Sequence, residues 1–291
     1  MSEPDKILIT RFAPSPTGRL HLGHAYAAAQ LFEAAETMGA AALLRIEDID
    51  HTRCRPEFIE GIYEDLAWLG FDWPRPVRVQ SEHYAAYADV SIDLIERGLA
   101  YPCELSRTQL KAGERTSPEN TTHGKAARAC DELRKAARYK TPSLPYAVRL
   151  NLKSALKQNG DALTYHEGES TKHARPMLDE WSQSGRPDPV IARRDIAASY
   201  HIAVTHDDHI QGITHIIRGA DFIDQTPLHI LLQSLMGWQT PEYSHHSLIT
   251  DIDGRKLSKS DKDVTIQSLR ESGLSQSDVL SCALSAATVA L

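Results

Sequence analysis

The stretch from Arg11 to His24, R-F-A-P-S-P-T-G-R-L-H-L-G-H, does most to narrow what this chain can fold into. An apolar run, Ile7-Leu8-Ile9, precedes it, and Leu22, Ala25, Ala29 and Phe32 follow at helical spacing. The pattern predicts a buried strand, a turn broken by Pro14, Pro16 and Gly18, and a helix whose first turn carries two imidazoles. A helix start exposes unpaired N–H groups and a partial positive charge, which suits a phosphate. His21 and His24 share a face, and Gly23 between them has no side chain to obstruct a ligand.

Downstream the same rhythm repeats. Ala42-Leu43-Leu44-Arg45-Ile46 reads as a second buried strand that runs into Glu47-Asp48-Ile49-Asp50. Pro56 suits a first helical position, with Ile59, Ile62, Leu66 and Leu69 at helical spacing and Gly70 as a stop. A further helix is expected over 81–98. Strands alternating with helices imply a parallel sheet with crossover connections. Ligands of such sheets bind outside the carboxyl ends of the strands, where Arg11 to Ser15 and Glu47 both lie.

From Tyr101 the rhythm changes. Residues 106–140 are polar with a helical signal over 126–138, residues 146–152 alternate as a half-buried strand, and 157–189 read as loop. The expected organisation is therefore a first half of the sheet fold over 1–100 and an inserted α+β unit over 101–195. A second half over 196–262 and a short helical tail over 263–291 complete it. In the second half, Ile213 to Arg218 reads as a strand. Thr226-Pro227 opens a helix bearing Leu228, Leu231, Leu232 and Leu235, which Gly237 closes. A tight turn at Asp251 to Arg255 leads into Lys256-Leu257-Ser258-Lys259-Ser260. Two lysines in such a turn suit a loop that meets polyphosphate.

Composition removes several classes. The net charge of −7 argues against a broadly basic nucleic-acid binder, while leaving room for local strips such as Arg128 to Lys140 or Arg193-Arg194. No apolar run approaches the ~18 residues of a membrane span, and Met1 to Asp5 lacks the basic start of a secretory signal. Cys54, Cys103, Cys130 and Cys282 form no C-x-x-C pair, so reduced thiols of a cytoplasmic protein are expected. His206-Asp207-Asp208-His209 lacks further residues to complete a metal ligand set. Asp251-x-Asp253-Gly254 opens like a calcium loop, but Lys262 stands where the bidentate Glu belongs. For Asp48 and Asp50 a solvated acidic turn stays open beside a functional role.

The two motifs together, R-F-A-P-S-P-T-G-R-L-H-L-G-H and K-L-S-K-S, resemble the two signatures of class I aminoacyl-tRNA synthetases, in the wording of the glutamyl branch. Arg45 to Asp50 with Arg53 looks like its second block, and Gly212 to Asp221 like its third. The likeness is good over 7–100 and 187–265 and poor over the insertion. It implies a Rossmann-like α/β catalytic domain. Arg11, Phe12, Ala13, Pro14, Ser15, Glu47, Tyr200 and Arg218 would hold L-glutamate. His21, Gly23 and His24 would meet ATP, and Lys256 and Lys259 would act with both histidines in catalysis. Magnesium would arrive with the ATP phosphates, and the glutamate α-carboxylate would be the nucleophile.

The family's long members carry an anticodon-binding region after the K-x-S-K-S loop, whereas this sequence stops soon after Ser260. In that it is similar to the short paralogues, the glutamyl-queuosine tRNA(Asp) synthetases, which attach glutamate to the queuosine base of the tRNA(Asp) anticodon. Two alternatives stand beside this: a minimal ligase charging a tRNA 3′ end, and a non-catalytic paralogue binding RNA or protein. Many short members hold zinc through a Cys-x-Cys pair. Here Leu105 replaces the second cysteine, and Cys103, Cys130 and His123 are irregularly spaced, so zinc is not expected. A monomer without membrane attachment completes the expectation.

Overall fold

A computed structural model of the chain describes residues 7–114, 118–159, 163–249 and 264–288. Its strands are, in chain order, β1 (Ile9–Phe12), β2 (Ala41–Ile46), β3 (Arg78–Val79), β4 (Ala100–Cys103), β5 (Ala147–Leu150), β6 (Thr164–Glu167), β7 (Ser170–His173), β8 (Val190–Ala192), β9 (His215–Gly219) and β10 (Glu242–His246). The helices are α1 (Leu22–Met38), α2 (Pro56–Trp68), α3 (Tyr84–Glu96), α4 (Arg107–Lys111), α5 (His123–Ala136), α6 (Leu152–Gln158), α7 (Arg175–Gln183), α8 (Tyr200–Ile210), α9 (Thr226–Met236), α10 (Ile266–Glu271) and α11 (Gln276–Thr288). Among the described residues no helix is long and apolar enough to cross a membrane.

Strands β1, β2 and β3 pair in parallel in that order. A second sheet has the order β7-β6-β10-β9, with β6, β10 and β9 parallel. The two meet at β1, where Ile9 exchanges hydrogen bonds with Thr214, just ahead of β9. The carboxyl ends of β1, β2 and β9 therefore open to one side. Strands β4, β5 and β8 form a separate antiparallel sheet. One apolar core unites α3, α5, α8 and α9 with that sheet, and another unites β1, β2, α1, α2 and α11. The tail is part of the second: Val279 and Ala283 of α11 are buried with Ala28 and Leu31 of α1.

The structure departs from the sequence reading in three places. Ile7 is exposed, and the first strand begins at Ile9 and continues into the motif, so Arg11 and Phe12 are themselves buried strand residues. Arg11 is accommodated in this strand because an ion pair, described below, satisfies it. Residues 157–189 hold β6, β7 and α7 rather than loop. The β6–β7 hairpin turns at Gly168, whose φ of +56° favours glycine. Its strands show no apolar alternation because β7 is exposed throughout, so pairing alone reveals them. Strand β10 was also unmarked: it lies inside the sheet, yet Tyr243 is its one apolar residue.

Candidate active site

A cavity of about 800 Å³ opens at the carboxyl ends of β1, β2 and β9. Its lining includes Arg11, Phe12, Ala13, Pro14, Ser15, His21, Gly23, His24, Glu47, Tyr200 and Arg218. The structure thus brings together every expected site residue that it describes. Lys256 and Lys259 lie outside the described residues.

His21 is the N-cap of α1 rather than part of its first turn, with extended backbone at φ −126°. Its Nδ1 accepts from the Gly23 N–H at 3.1 Å, and His24 Nδ1 accepts from the His21 N–H at 3.2 Å. This is a capping box built from two imidazoles. A neutral imidazole whose Nδ1 accepts carries its proton on Nε2, so each ring is a donor through Nε2–H. The ring centroids are 4.0 Å apart. Gly23 is required here: a Cβ would sit 2.9 Å from His21 Cε1. The approach to this cap is pinned as well. Ile266 N donates to Leu20 O, and Thr265 forms a bridge to His21.

The floor is a buried ion lattice. Asp208 of α8 accepts from Arg11 Nε at 2.9 Å and from Arg45 Nη1 at 2.8 Å, and Arg45 Nη2 donates to Glu47 Oε1 at 3.0 Å. Burial works against the Arg45 charge, but Asp208, Glu47 and Asp207 outweigh it and hold the guanidinium more firmly protonated. Burial likewise opposes the Asp208 carboxylate, and Arg11 and Arg45 win, so its pKa is depressed. For Glu47 burial wins, and its pKa is raised despite Arg45 and Arg11. Beside it, Asp207 accepts from Arg78, Tyr87 and Gln80. Burial opposes its charge, but His206, Arg45 and Arg78 pull its pKa down to about 2.

Sequence reasoning missed this lattice. The sequence offers Asp207 and Asp208 only as metal ligands, whereas in the fold they are counter-ions of Arg78, Arg11 and Arg45. A signal existed in Arg45-x-Glu47, one charge inside an otherwise apolar strand and a second just past its end. Asp48 and Asp50 do not form a solvated turn. Asp48 is buried and accepts from Ser81 N and Oγ, while Asp50 accepts from Thr52, Arg53 and Arg193.

Arg218 of β9 holds its guanidinium over the rings of Phe222 and Tyr243. Its Nη2 donates to Thr226 Oγ1 at 2.6 Å. Burial, aided by Glu47, raises the Tyr200 hydroxyl pKa, so it stays protonated and can donate. Gly219, also in the lining and also unforeseen, has no room for a side chain: a Cβ would meet Asp221 Oδ1 at 2.5 Å. Away from this cavity, Cys103 and Cys130 are buried thiols, and among the described residues no three His, Cys, Asp or Glu side chains group as a metal site.

Such a cavity has two imidazoles at a helix start, a carboxylate beside two arginines, and a third arginine in its lining. It suits a small zwitterion next to a polyphosphate. Residues 7–287 match the tRNA synthetases class I (E and Q), catalytic domain, and the chain belongs to this family of ligases. A relative from Rhodobacter capsulatus named glutamyl-Q tRNA(Asp) synthetase is 37% identical, over 94% of this chain and 98% of its own length. One of the same name from Thiobacillus denitrificans is 37% identical, over 86% of this chain and 77% of its own. The glutamate–tRNA ligase of Coprothermobacter proteolyticus is 34% identical over 91% of this chain, which spans 55% of that protein. The solved glutamate tRNA ligase of Elizabethkingia meningosepticum, in complex with its amino acid, superposes with a TM-score of 0.65 at 26% identity. That match covers 92% of this chain and 54% of the other, so the chain spans about half the length of the glutamate–tRNA ligases it matches.

Proposed function

We propose that the protein activates L-glutamate with ATP and transfers the glutamyl group to the queuosine base of tRNA(Asp). One observation carries the reading: a single cavity is lined by the paired imidazoles His21 and His24 together with Arg11, Glu47, Tyr200 and Arg218. In the first step a glutamate α-carboxylate oxygen bonds to the α-phosphorus of ATP. The bond from that phosphorus to the bridging oxygen breaks, and pyrophosphate leaves with its magnesium. The nucleophile is already ionised, so no protein base is needed.

The residues then orient and neutralise. His21 and His24 present Nε2–H donors to phosphate oxygens, and Gly23 keeps the nucleotide close to the helix start. Glu47 keeps Oε2 for the glutamate ammonium while Oε1 is held by Arg45. Arg11 spends Nε and Nη2 on Asp208 and keeps Nη1 for a carboxylate. Arg218 takes the other carboxylate, with the Tyr200 hydroxyl donating beside it. Lys256 and Lys259 supply charge to the phosphates as pyrophosphate departs. In the second step the acceptor attacks the glutamyl carbonyl and AMP leaves.

The queuosine acceptor rests on likeness to the relatives named for it, one of which is matched over 98% of its length. Similarity to glutamate–tRNA ligases keeps 3′-end charging as the second reading. Labelled glutamate with ATP and purified tRNA separates them. Transfer to tRNA(Asp) that contains queuosine, and none to the same tRNA lacking it, is expected. Equal transfer to both, or transfer abolished by periodate treatment of the 3′ end of queuosine-free tRNA(Glu), would move the assignment to 3′-end charging.

A further inference from the structure

Four arginines line the cavity: Arg11, Arg53, Arg193 and Arg218. The first three each have a carboxylate partner, Asp208, Asp50 and Asp50 in turn. Among the described residues Arg218 has none, although it is buried. Its partners are neutral acceptors: Thr226 Oγ1, the Phe222 carbonyl, His229 Nδ1 at 3.3 Å and His245 Nε2 at 3.2 Å. A buried guanidinium without a counter-charge favours the binding of an anion.

We propose that Glu167 and His245 are positioning residues that hold Arg218 at the glutamate carboxylate, with His229 and His201 as a second, parallel support. This deepens the reading of Arg218 given above. The logic is one of donors and acceptors. Arginine only donates, so His245 Nε2 must accept, and its proton must sit on Nδ1. That Nδ1–H meets Glu167 Oε1 at 2.6 Å. On the other side His229 Nδ1 must accept from Arg218, which puts its proton on Nε2, and Nε2 lies 3.1 Å from His201 Nδ1. Each chain of bonds works with neutral imidazoles in one tautomer. Burial and the Arg218 charge depress the pKa of His229, and take His201 down to about 4. Burial depresses His245 too, although Glu167 opposes it.

Glu167 is the part that no cavity lining and no motif reveals. It ends β6, within the stretch read as loop, and pairs in register with Tyr243 of β10, two residues before His245. The sheet thus delivers a carboxylate to the rear of the imidazole whose front faces Arg218. Tyr243 stacks on His245 and lies against the guanidinium, which limits rotation of both.

Glu167→Ala removes the acceptor and leaves the cavity lining intact. The glutamate KM in ATP–pyrophosphate exchange should rise about tenfold, while the ATP KM stays within about twofold. Glu167→Gln still offers an oxygen to Nδ1–H and should restore the glutamate KM. Ring ¹⁵N NMR of the free protein reads the tautomer without any substrate, with His245 assigned by loss of its signals in His245→Asn. The expected state is Nδ1–H in the wild type and in Glu167→Gln, with Nε2–H gaining population in Glu167→Ala. A wild-type His245 protonated on Nε2 would overturn the inference. So would an unchanged glutamate KM in Glu167→Ala. A wild type without glutamate-dependent exchange would instead count against the proposed function, and the NMR result alone would then decide the positioning role.

Discussion

Asp208→Asn is the sharpest perturbation of the buried lattice. The carboxylate lies 2.9 Å from Arg11 and 2.8 Å from Arg45, with the three side chains 3%, 5% and 0% exposed. In the wild type the two guanidiniums face two carboxylates, Asp208 and Glu47. In the variant Glu47 is the only carboxylate left that is hydrogen-bonded to either guanidinium, with Asp207 acting on Arg45 through charge alone. Breaking a buried pair by removing one partner costs about 3–5 kcal/mol. The Asn oxygen keeps one hydrogen bond, so the lower end, about 3 kcal/mol, is expected. At about 3 °C per kcal/mol for a chain of this size, the melting temperature should fall by roughly 10 °C at pH 7. The pKa of Asp208 is depressed on folding, so its contribution is present above the unfolded value of about 4 and is lost as pH falls through the folded value. The gap between wild type and variant should therefore close as pH drops below about 4. Urea unfolding followed by circular dichroism measures both quantities. A loss under about 1 kcal/mol at pH 7, or a gap that persists unchanged into acid, would refute the assignment of Asp208 as the shared counter-ion.

Three further outcomes follow from the site. Gly23→Ala drives a methyl against the His21 ring and breaks the cap, so exchange should fall at least about tenfold with the ATP KM raised and the glutamate KM little changed; an unaltered ATP KM would sever the cap from nucleotide binding. Asp65 of α2 is raised to about 6, chiefly by burial and against the pull of Arg19, so its contribution to stability is full below about 4 and is lost as pH rises through 6. Asp65→Asn should remove that slope, and parallel stability curves for the two proteins between pH 4 and about 7 would contradict it. Lys259→Ala should slow exchange by about 10²–10³-fold with little effect on glutamate affinity, whereas Arg218→Ala should act mainly on affinity; the reverse pattern would exchange their roles.

The cavity was legible in the sequence because its residues sit where strand ends and helix starts must be. Arg11 to His24 reads as strand, turn and helix from Pro, Gly and apolar spacing alone, and Glu47 follows an unmistakable apolar strand. What supports these residues was hidden for physical reasons. The partner shared by Arg11 and Arg45, Asp208, comes from 197 and 163 residues away, and no local pattern says that it faces inward. Strands β6, β7 and β10 carry polar residues because hydrogen-bonded pairing rather than apolar burial defines them. The His245–Glu167 contact exists only once those strands are paired. Ile7 misled for the opposite reason: it is apolar and next to a strand, yet lies outside it and exposed.

Formation of glutamyl-adenylate in this cavity is the step on which the proposed roles of its residues depend. ATP–pyrophosphate exchange with purified protein and labelled pyrophosphate tests it most directly, in the absence of tRNA. Label should enter ATP when L-glutamate is added, and little should enter when it is omitted or replaced by L-glutamine. Exchange that ignores glutamate, or that glutamine supports equally, would contradict it.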